Sequence, residues 1–430
     1  MSLKKSPALM KSAATVMVIL LMDLSVITDD VLRADDRWTG WMGPDRDGQV
    51  SDFEPPEKWP KSLKQVWSVD VGIGYGSPLV IDNRIYQHAR QGNQEVVWCL
   101  NRADGSTLWR EAFSVEFRTA PGGEYHENGP KSSPVFADGR LFTMSINGTL
   151  TAWDASSGKQ LWQRNYDNEF GRSHPNWGAS TSPIVDGDHV IVHFGTDEVG
   201  TLVALKTTDG SEVWRHGKDG PSYSSPLVVE IDGVRQVVEW NHRALVGVDS
   251  HSGKFLWEFP FPHVGSDQNM PTPTLHNGRI LLGGENRGIH SVRPQFSNGS
   301  WKVTDEWHQA DVALDMSSAV INGDLLYGFS HYDSGRLFCL DPETGSIVWT
   351  GPPRTGRNVM LLSGHGFVAA LINNGRLRII RATGEGYSEV AVYRVAEDRT
   401  WAPPVLLHEG ILIKDYEHLT MWSPGPEETQ

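Results

Sequence analysis

The chain has 430 residues, of which 39% are hydrophobic, and it carries a formal net charge of −15 at pH 7. This length and this apolar content allow a large buried core. The acidic balance argues against nucleic acid, or an anionic lipid surface, as the main partner.

The first residues, 1–34, have the features of a signal peptide. Three lysines precede an apolar run from Ala13 to Met22, and Ala34 is a candidate cleavage point. An uncleaved N-terminal anchor is the alternative, although the run is short for a spanning helix of ~20 residues. We therefore expect an exported protein, periplasmic or extracellular, whose only membrane contact would be an uncleaved N-terminal segment.

Residues 35–63 form a predicted extension ahead of the repeats. The segment 38–48 reads WTGWMGPDRDG, which has the form WxxWxGPxRDG. The alternating carboxylates of Asp45 and Asp47 have some likeness to a calcium-binding loop, but the further ligands and the distal glutamate of such a loop are missing. We therefore interpret residues 45–48 as a solvated turn.

From residue 64 to residue 424 one pattern repeats. Five times, an alternating apolar segment is followed by a glycine, three residues and a tryptophan, which is typical of a hairpin with glycine in its turn. The five pairs are Gly105/Trp109, Gly158/Trp162, Gly210/Trp214, Gly253/Trp257 and Gly345/Trp349. With Trp67, Trp307 and Tyr393, the aromatic series has eight members spaced by 42–53 residues. Each interval fits one four-stranded propeller blade.

A second series indicates the same number of blades. Short apolar runs begin at Ser77-Pro78, Ser133-Pro134, Ser182-Pro183, Ser225-Pro226, Thr272-Pro273, Ser318-Ala319, near Met360 and at Ala402-Pro403. The strand of Trp67 has no inner strands before it, and the strands from Pro403 to Trp422 have no aromatic outer strand after them. Their pairing would complete the last blade and remove an open edge. The sequence therefore predicts an all-β fold, an eight-bladed antiparallel β-propeller closed by its N-terminal strand, with a tail at 425–430.

We expect neither a disulfide nor a metal site. Cys99 and Cys339 occupy equivalent places in the repeat, so they lie on different blades, and we expect both to be buried and unpaired. The 16 histidines show no metal-ligand spacing. His126 and His174 are interpreted as channel-mouth histidines without a metal.

The cadence apolar-x-Asp-x-x-Thr-Gly-x-x-x-Trp resembles the tryptophan-docking repeat of the quinoprotein propellers, the PQQ-like repeat family (PQQ, pyrroloquinoline quinone). Segment 38–48 resembles the opening of many exported bacterial proteins of this family. The resemblance covers residues 38–422 and implies that the tryptophan of each blade stacks in a slot of the neighbouring blade. The structural docking residues implied in this way are Trp67, Trp109, Trp162, Trp214, Trp257, Trp307 and Trp349.

The family implies two functional classes. Quinoprotein dehydrogenases carry PQQ over Ca²⁺, with an aspartate base and an adjacent Cys-Cys disulfide, whereas the BamB-like exported propellers are non-enzymatic. This chain lacks the adjacent cysteine pair, and it also lacks a lipid-attachment cysteine. We interpret it as a non-catalytic binding or scaffold propeller without a cofactor. The alternative is a divergent PQQ-dependent alcohol or sugar oxidoreductase with PQQ and Ca²⁺ in the channel and Asp267 or Glu127 as the base.

The residues just before each inner strand are expected to line one mouth of the central channel. The candidate ligand-site residues are Tyr75, Asn128, Lys131, Trp177, Tyr223, Asp267, Asn269, Arg357 and Trp401. Such rings, cations and amides could hold a flat or sugar-like ligand by stacking and hydrogen bonds. The alternative is that they only plug and solvate the mouth. We expect a monomer that binds a protein, or a small-molecule or saccharide ligand, and not nucleic acid.

Overall fold

The computed structural model describes residues 1–2, 37–50, 53–265 and 267–424. The signal segment predicted at 1–34 lies outside the described residues except for its first two, and so does the tail predicted at 425–430. No helix in the described ranges is both long enough and apolar enough to cross a membrane.

The described chain folds into eight antiparallel sheets of four strands each, which confirms the predicted eight-bladed propeller. The first strand is β1 (Leu63–Asp70). Blade 1 consists of β2 (Leu79–Ile81), β3 (Arg84–Gln91), β4 (Gln94–Asn101) and β5 (Thr107–Ser114), and blade 2 consists of β6 (Val135–Ala137), β7 (Arg140–Met144), β8 (Leu150–Asp154) and β9 (Gln160–Arg164). Blade 3 consists of β10 (Ile184–Asp186), β11 (His189–Gly195), β12 (Gly200–Lys206) and β13 (Glu212–His216), and blade 4 consists of β14 (Leu227–Ile231), β15 (Val234–Trp240), β16 (Ala244–Asp249) and β17 (Phe255–Pro260). Blade 5 consists of β18 (Thr274–His276), β19 (Arg279–Gly283), β20 (Ile289–Ser297) and β21 (Ser300–Gln309), and blade 6 consists of β22 (Val320–Asn322), β23 (Leu325–Ser330), β24 (Arg336–Leu340) and β25 (Ile347–Thr350). Blade 7 consists of β26 (Val359–Gly364), β27 (Phe367–Ile372), β28 (Arg376–Arg381) and β29 (Glu389–Arg394). Blade 8 consists of β30 (Val405–Leu407), β31 (Gly410–Lys414) and β32 (His418–Pro424) together with β1. One helical turn, α1 (Asp167–Phe170), and two 3₁₀ turns (Glu124–His126 and Tyr332–Ser334) lie in the loops.

Blade 8 closes the ring as the sequence predicts. Its sheet has the order β1-β32-β31-β30, so the first strand is the outer strand of the last blade. β1 pairs antiparallel with β32, and the hydroxyls of Ser68 and Thr420 lie 2.8 Å apart across the pair. Because β1 covers the edge of β32, the ring has no unpaired edge at the junction of its termini.

The innermost strands begin with a hydroxyl that joins neighbouring blades. The backbone N–H of Ser77 donates to Ser133 Oγ, that of Ser133 to Ser182 Oγ, and that of Ser182 to Ser225 Oγ, at 2.8–3.0 Å. Thr272 makes the same bond to Ser318 Oγ at 2.9 Å. This repeated bond gives a physical reason for the Ser/Thr-Pro series, because each hydroxyl satisfies a buried N–H of the preceding blade.

The docking tryptophans lie between blades. The rings of Trp67, Trp109, Trp162, Trp214 and Trp307 pack against the turn glycines Gly105, Gly158, Gly210, Gly253 and Gly345 of the next blade. The indole N–H of each donates to a backbone carbonyl of that turn region at 3.0–3.2 Å. Trp349 donates likewise to the Thr383 carbonyl at 2.8 Å.

Trp257 departs from the implied docking. Its indole N–H donates to Gln236 Oε1 of its own blade at 2.6 Å, and its ring lies against Gly247. The facing hairpin of blade 5, β20–β21, is the longest of the fold and has its turn at residues 298–299, so it places no glycine turn under this ring. Trp257 therefore packs within blade 4 instead of docking on a turn of blade 5.

The segment 37–50, called the plug segment below, crosses the central channel. It hydrogen-bonds to seven of the eight blades through Val80, Phe136, Ser182, Pro183, Pro226, Thr272, Ile321 and Ser363. Arg46 is only 5% exposed, and its guanidinium donates to the carbonyls of Ser182 (3.1 Å), Pro226 (2.9 Å) and Pro183. The interpretation of 45–48 as a solvated turn is therefore wrong for Arg46, although Asp45 and Asp47 are exposed.

The two cysteines are free and buried, as predicted. Burial raises the pKa of the Cys339 thiol to about 11 and also raises the pKa of Cys99. Both thiols are thus protonated near neutral pH and act as small apolar groups of the blades.

Candidate ligand pocket in the channel

One end of the channel contains a cavity of about 460 Å³, called the channel pocket below. Its lining residues are Trp41, Tyr75, Gly122, His126, Lys131, Trp177, Ser180, Ser182, Tyr223, Ser225, Met270, Thr272, Glu285, Met316, Asn358, Met360 and Trp401. Trp41 belongs to the plug segment, and its indole N–H donates to Thr272 Oγ1 at 2.9 Å, at the start of blade 5. The plug segment therefore contributes to the wall of the pocket.

Five of the nine candidate residues line this pocket: Tyr75, Lys131, Trp177, Tyr223 and Trp401. They come from the entries to blades 1, 2, 3, 4 and 8, because each stands just before an inner strand. The propeller register thus brings together side chains that are up to 326 residues apart in the sequence.

Four candidate residues do not line the pocket. Arg357 is exposed, and its neighbour Asn358 takes the pocket position instead. Asn269 is fully buried, donates to the carbonyls of Asn241 and Phe261, and accepts from Arg287 at 2.9 Å.

The other two are Asp267 and Asn128. Asp267 accepts a hydrogen bond from Asn286 at 3.3 Å outside the pocket. Asn128 lies in a separate depression beside Arg90. These side chains belong to rim loops whose course does not follow the simple register of the inner strands.

Trp41, Glu285, Asn358 and Met360 line the pocket but were not predicted to bind a ligand. Met360 and Asn358 belong to blade 7, whose inner strand lacks the Ser-Pro signal. The sequence therefore predicts the start of this strand only approximately. Trp41 was part of a recognised motif, but no local signal placed it in the channel.

Two aromatic pairs stand on either side of Lys131. Trp177 stacks on Tyr223 with ring centroids 5.8 Å apart, and the backbone N–H of Trp177 donates to Tyr223 Oη at 3.3 Å. On the other side Tyr75 and Trp401 lie 5.7 Å apart, with His126 at 4.8 Å from Trp401. Such rings offer flat apolar faces to a ligand.

Burial controls the charges of the pocket. It lowers the pKa of Lys131 to about 8, and burial with the nearby cations Lys131 and Arg399 lowers the pKa of His126 to about 4. Burial also raises the pKa of Glu285, with contributions from the carboxylates of Asp315 and Asp267. At neutral pH His126 is therefore neutral, and Lys131 is the cation of the pocket lining.

Two polar atoms of the lining lack a hydrogen-bond partner. They are the phenolic Oη of Tyr75 and the indole Nε1 of Trp401, and both are buried. Burial raises the pKa of Tyr75, so its hydroxyl keeps its proton and can donate. Buried donors without a partner are costly, and these two belong to side chains of the pocket lining.

A loop from blade 1 to blade 2 covers part of the rim. Arg399 donates to the carbonyl of Tyr125 at 2.7 Å and pairs with Glu127 at 2.9 Å, so the loop is tied to the entry of blade 8. The guanidinium also lies 4.1 Å from the ring centroid of Tyr416. Glu127 is thereby engaged outside the pocket.

The donor set of the pocket does not fit PQQ over Ca²⁺. Of the two cations among the candidate ligand-site residues, which could pair with the carboxylates of PQQ, Lys131 lines the pocket and Arg357 does not. The two candidate bases, Asp267 and Glu127, are also absent from its lining. Within the described residues, no three His, Cys, Asp or Glu side chains are arranged to hold a metal ion.

The sequence profile of the family described as outer membrane protein assembly factor BamB matches residues 93–351. The chain belongs to this family of PQQ-like repeat propellers. It is similar to the BamB protein of Shewanella oneidensis, with 26% identity over 53% of this chain and 58% of that protein. BamB of Moranella endobia is 23% identical over 70% of this chain and 76% of its own. The match spans 58% and 55% of the lengths of the Shewanella oneidensis and Yersinia pestis proteins, little more than half.

Dehydrogenases are similar as well. Polyvinylalcohol dehydrogenase of Sphingopyxis sp. is 29% identical over 74% of this chain and 40% of that protein. Among solved structures, quinohemoprotein alcohol dehydrogenase ADHIIG from Pseudomonas putida HK5 has a TM-score of 0.66 at 12% identity and covers 91% of this chain and 81% of its own. BamB from Moraxella catarrhalis has a TM-score of 0.59 at 16% identity and covers 84% of this chain and 99% of its own. At such identities these structures show the shared fold alone.

Proposed function

We propose that this protein is an exported, non-catalytic binding propeller of the BamB-like class, without a resident cofactor, that holds its ligand in the channel pocket. The observation that carries the proposal is the composition of that pocket. The plug segment occupies the channel beside it, and the lining contains aromatic rings, methionines and one cation instead of a metal cage. Such a lining is suited to binding and provides no set of groups for redox chemistry.

The BamB relatives support a protein partner for the propeller as a whole, since their name describes an assembly factor for outer membrane proteins. A periplasmic or extracellular location is part of the same proposal, because the N-terminal sequence has the pattern of a signal peptide. Location is tested by tagging the C-terminus and measuring the tag in osmotic-shock and cytoplasmic fractions. Recovery in the cytoplasmic fraction alone would contradict export.

The experiment that distinguishes a binding propeller from a dehydrogenase is reconstitution with PQQ and Ca²⁺, followed by calorimetry and a dye-linked alcohol oxidation assay. We expect no saturable binding and no turnover. Sub-micromolar binding that is lost in Lys131→Met and kept in Arg357→Met, together with turnover, would establish the dehydrogenase alternative instead. Arg357→Met is a matched control, because it removes a cation that lies outside the pocket.

A further inference from the structure

We propose that the channel pocket binds a small amphipathic monocarboxylate, with the carboxylate on the side of Tyr75, Lys131 and Trp401 and the apolar body against the methionines. The inference rests on the proposed function and names the chemical class of the ligand. Three features of the lining support it. Hydrogen-bond donors without partners lie on one side, carboxylates lie near a second side, and apolar side chains lie opposite the donors.

The donor side contains groups that need an acceptor. Lys131 Nζ uses one N–H on the Trp177 carbonyl, at 2.6 Å. Within the described residues it forms no ion pair, and the carboxylate of Glu127 pairs with Arg399 instead. Trp401 is 8% exposed, and its Nε1 has no partner; an indole N–H can only donate. Tyr75 Oη is likewise unpartnered. Because an ammonium is also donor-only, an anionic group with two acceptor oxygens matches this side best.

Glu285 fixes the orientation of such a ligand. The residue lines the pocket, and burial together with the nearby carboxylates of Asp315 and Asp267 raises the pKa of its carboxyl. Burial and Asp267 also raise the pKa of Asp315 to about 6, so the three carboxyl groups form one interacting cluster. A second anion near this cluster would be repelled. The carboxylate of the ligand therefore lies away from Glu285, at the donors.

The rest of the ligand meets apolar side chains. Met270 and Met316 stand just before the inner strands of blades 5 and 6, and Met360 lies on the inner strand β26 of blade 7; all three line the pocket. Thioether side chains are flexible and adapt to different apolar shapes. The Trp177–Tyr223 pair adds a flat face for a ring. A cavity of about 460 Å³ is within the range of small-molecule sites.

The test compares an acid with its neutral isostere. Isothermal calorimetry and intrinsic tryptophan fluorescence are used to titrate the full chain with 4-phenylbutyrate and with 4-phenylbutanamide. We expect the acid to bind at least tenfold more tightly than the amide. This comparison uses the unchanged protein, so it does not depend on whether a variant folds.

Three variants locate the interaction. Lys131→Met should weaken binding of the acid at least tenfold and leave binding of the amide unchanged, whereas Trp401→Phe should weaken the acid several-fold by removing a single N–H. Lys302→Met is the matched control, since Lys302 is exposed on β21 outside the pocket lining, and should bind as the unchanged protein does. Thermal melts verify that each variant is folded.

Equal affinity for acid and amide, or an unaffected Lys131→Met variant, would overturn the carboxylate assignment, as would binding of neither probe. Binding of both probes that is lost in Tyr223→Ala would leave the pocket as a ligand site for another class. Preference for a neutral disaccharide such as cellobiose over the acid would indicate a saccharide instead. The proposed function itself would be overturned by a different result, namely turnover with PQQ. Failure of the carboxylate assignment can therefore be distinguished from failure of the proposed function.

Discussion

The indole of Trp162 in blade 2 packs against Gly210 in blade 3, and its Nε1 donates to the Thr207 carbonyl at 3.0 Å. A Cβ added to Gly210 would come within 2.6 Å of Trp162 Cε3. The residue also has a positive φ of +67°, which side chains other than glycine rarely adopt. Gly210 thus meets two requirements, the turn of its own blade and the contact with the tryptophan of the preceding blade.

Gly210→Ala should destabilise the protein more than a glycine replacement in an open turn. Gly187 in the same blade has a φ of +59° but nothing within 4 Å of its added Cβ. Gly187→Ala should therefore cost about 1–2 kcal/mol for the left-handed backbone alone. Gly210→Ala should cost a further ~1–3 kcal/mol, because the methyl group displaces the indole. Equal losses in chemical denaturation would show that the interblade contact is loose.

Trp162→Ala should lower the free energy of unfolding by about 3–5 kcal/mol, because it removes a buried aromatic ring between two blades. Leu161→Ala, on the same strand, is the control: its side chain is exposed, and its loss should change stability by less than about 0.5 kcal/mol. Ligand binding by the folded fraction of Trp162→Ala should be unchanged. Selective loss of binding at full stability would assign Trp162 to function.

Arg46→Met should be strongly destabilising although it replaces a surface-type residue. It would leave three buried carbonyls of blades 3 and 4 without their donor, at about 1–3 kcal/mol for each unsatisfied group. Arg37→Met removes the other arginine of the plug segment, which forms a half-exposed ion pair with Asp82. That change should cost less than about 1 kcal/mol. Thermal midpoints of the two variants decide the comparison, and similar midpoints would contradict a structural role for Arg46.

Lys414 makes stability depend on pH. Its side chain is fully buried with Nζ on the carbonyls of Asp415 and Tyr416, and burial lowers its pKa to about 7, although Asp415, Glu417 and Asp70 oppose the shift. An unfolded lysine has a pKa near 10.4, so between pH 7 and 10 the unfolded state binds one proton more than the folded state. The cost of the buried charge is therefore fully present below pH 7 and is relieved as pH rises.

The measurement is the difference in unfolding free energy between the unchanged protein and Lys414→Met. Relative to this variant, the unchanged protein should gain stability between pH 7 and pH 10, by at most roughly 1.4 kcal/mol per pH unit. The exposed Lys206→Met should show no such trend. A difference that is flat across this range would mean that Lys414 stays charged in the fold.

The blades were predictable because each one carries its own signals within about fifty residues. Glycine, tryptophan and the Ser-Pro starts act through local turns and through the adjacent blade, and the unmatched strands at the two ends predicted the closure by β1. The contacts of Arg46 were not predictable, because its acceptors lie 136–180 residues away and only the closed ring brings them together. In the pocket, the positions of Tyr75 and Tyr223 were predicted correctly from the register of the inner strands. The prediction for blade 7 was wrong by one residue, Arg357 instead of Asn358, because that blade lacks the Ser-Pro signal.

The closure of the ring also requires pairing between β1 and β32, two strands that are synthesised at very different times. The hydroxyl of Ser68 meets that of Thr420, which follows 352 residues later. At a synthesis rate of about 5–20 residues per second, roughly 20–70 s pass between the appearance of these two residues. During this interval the intermediate blades can form from local hairpins, but β1 has no strand to pair with. A chain that loses its last strands would keep β1 as a free edge, open to pairing with another molecule.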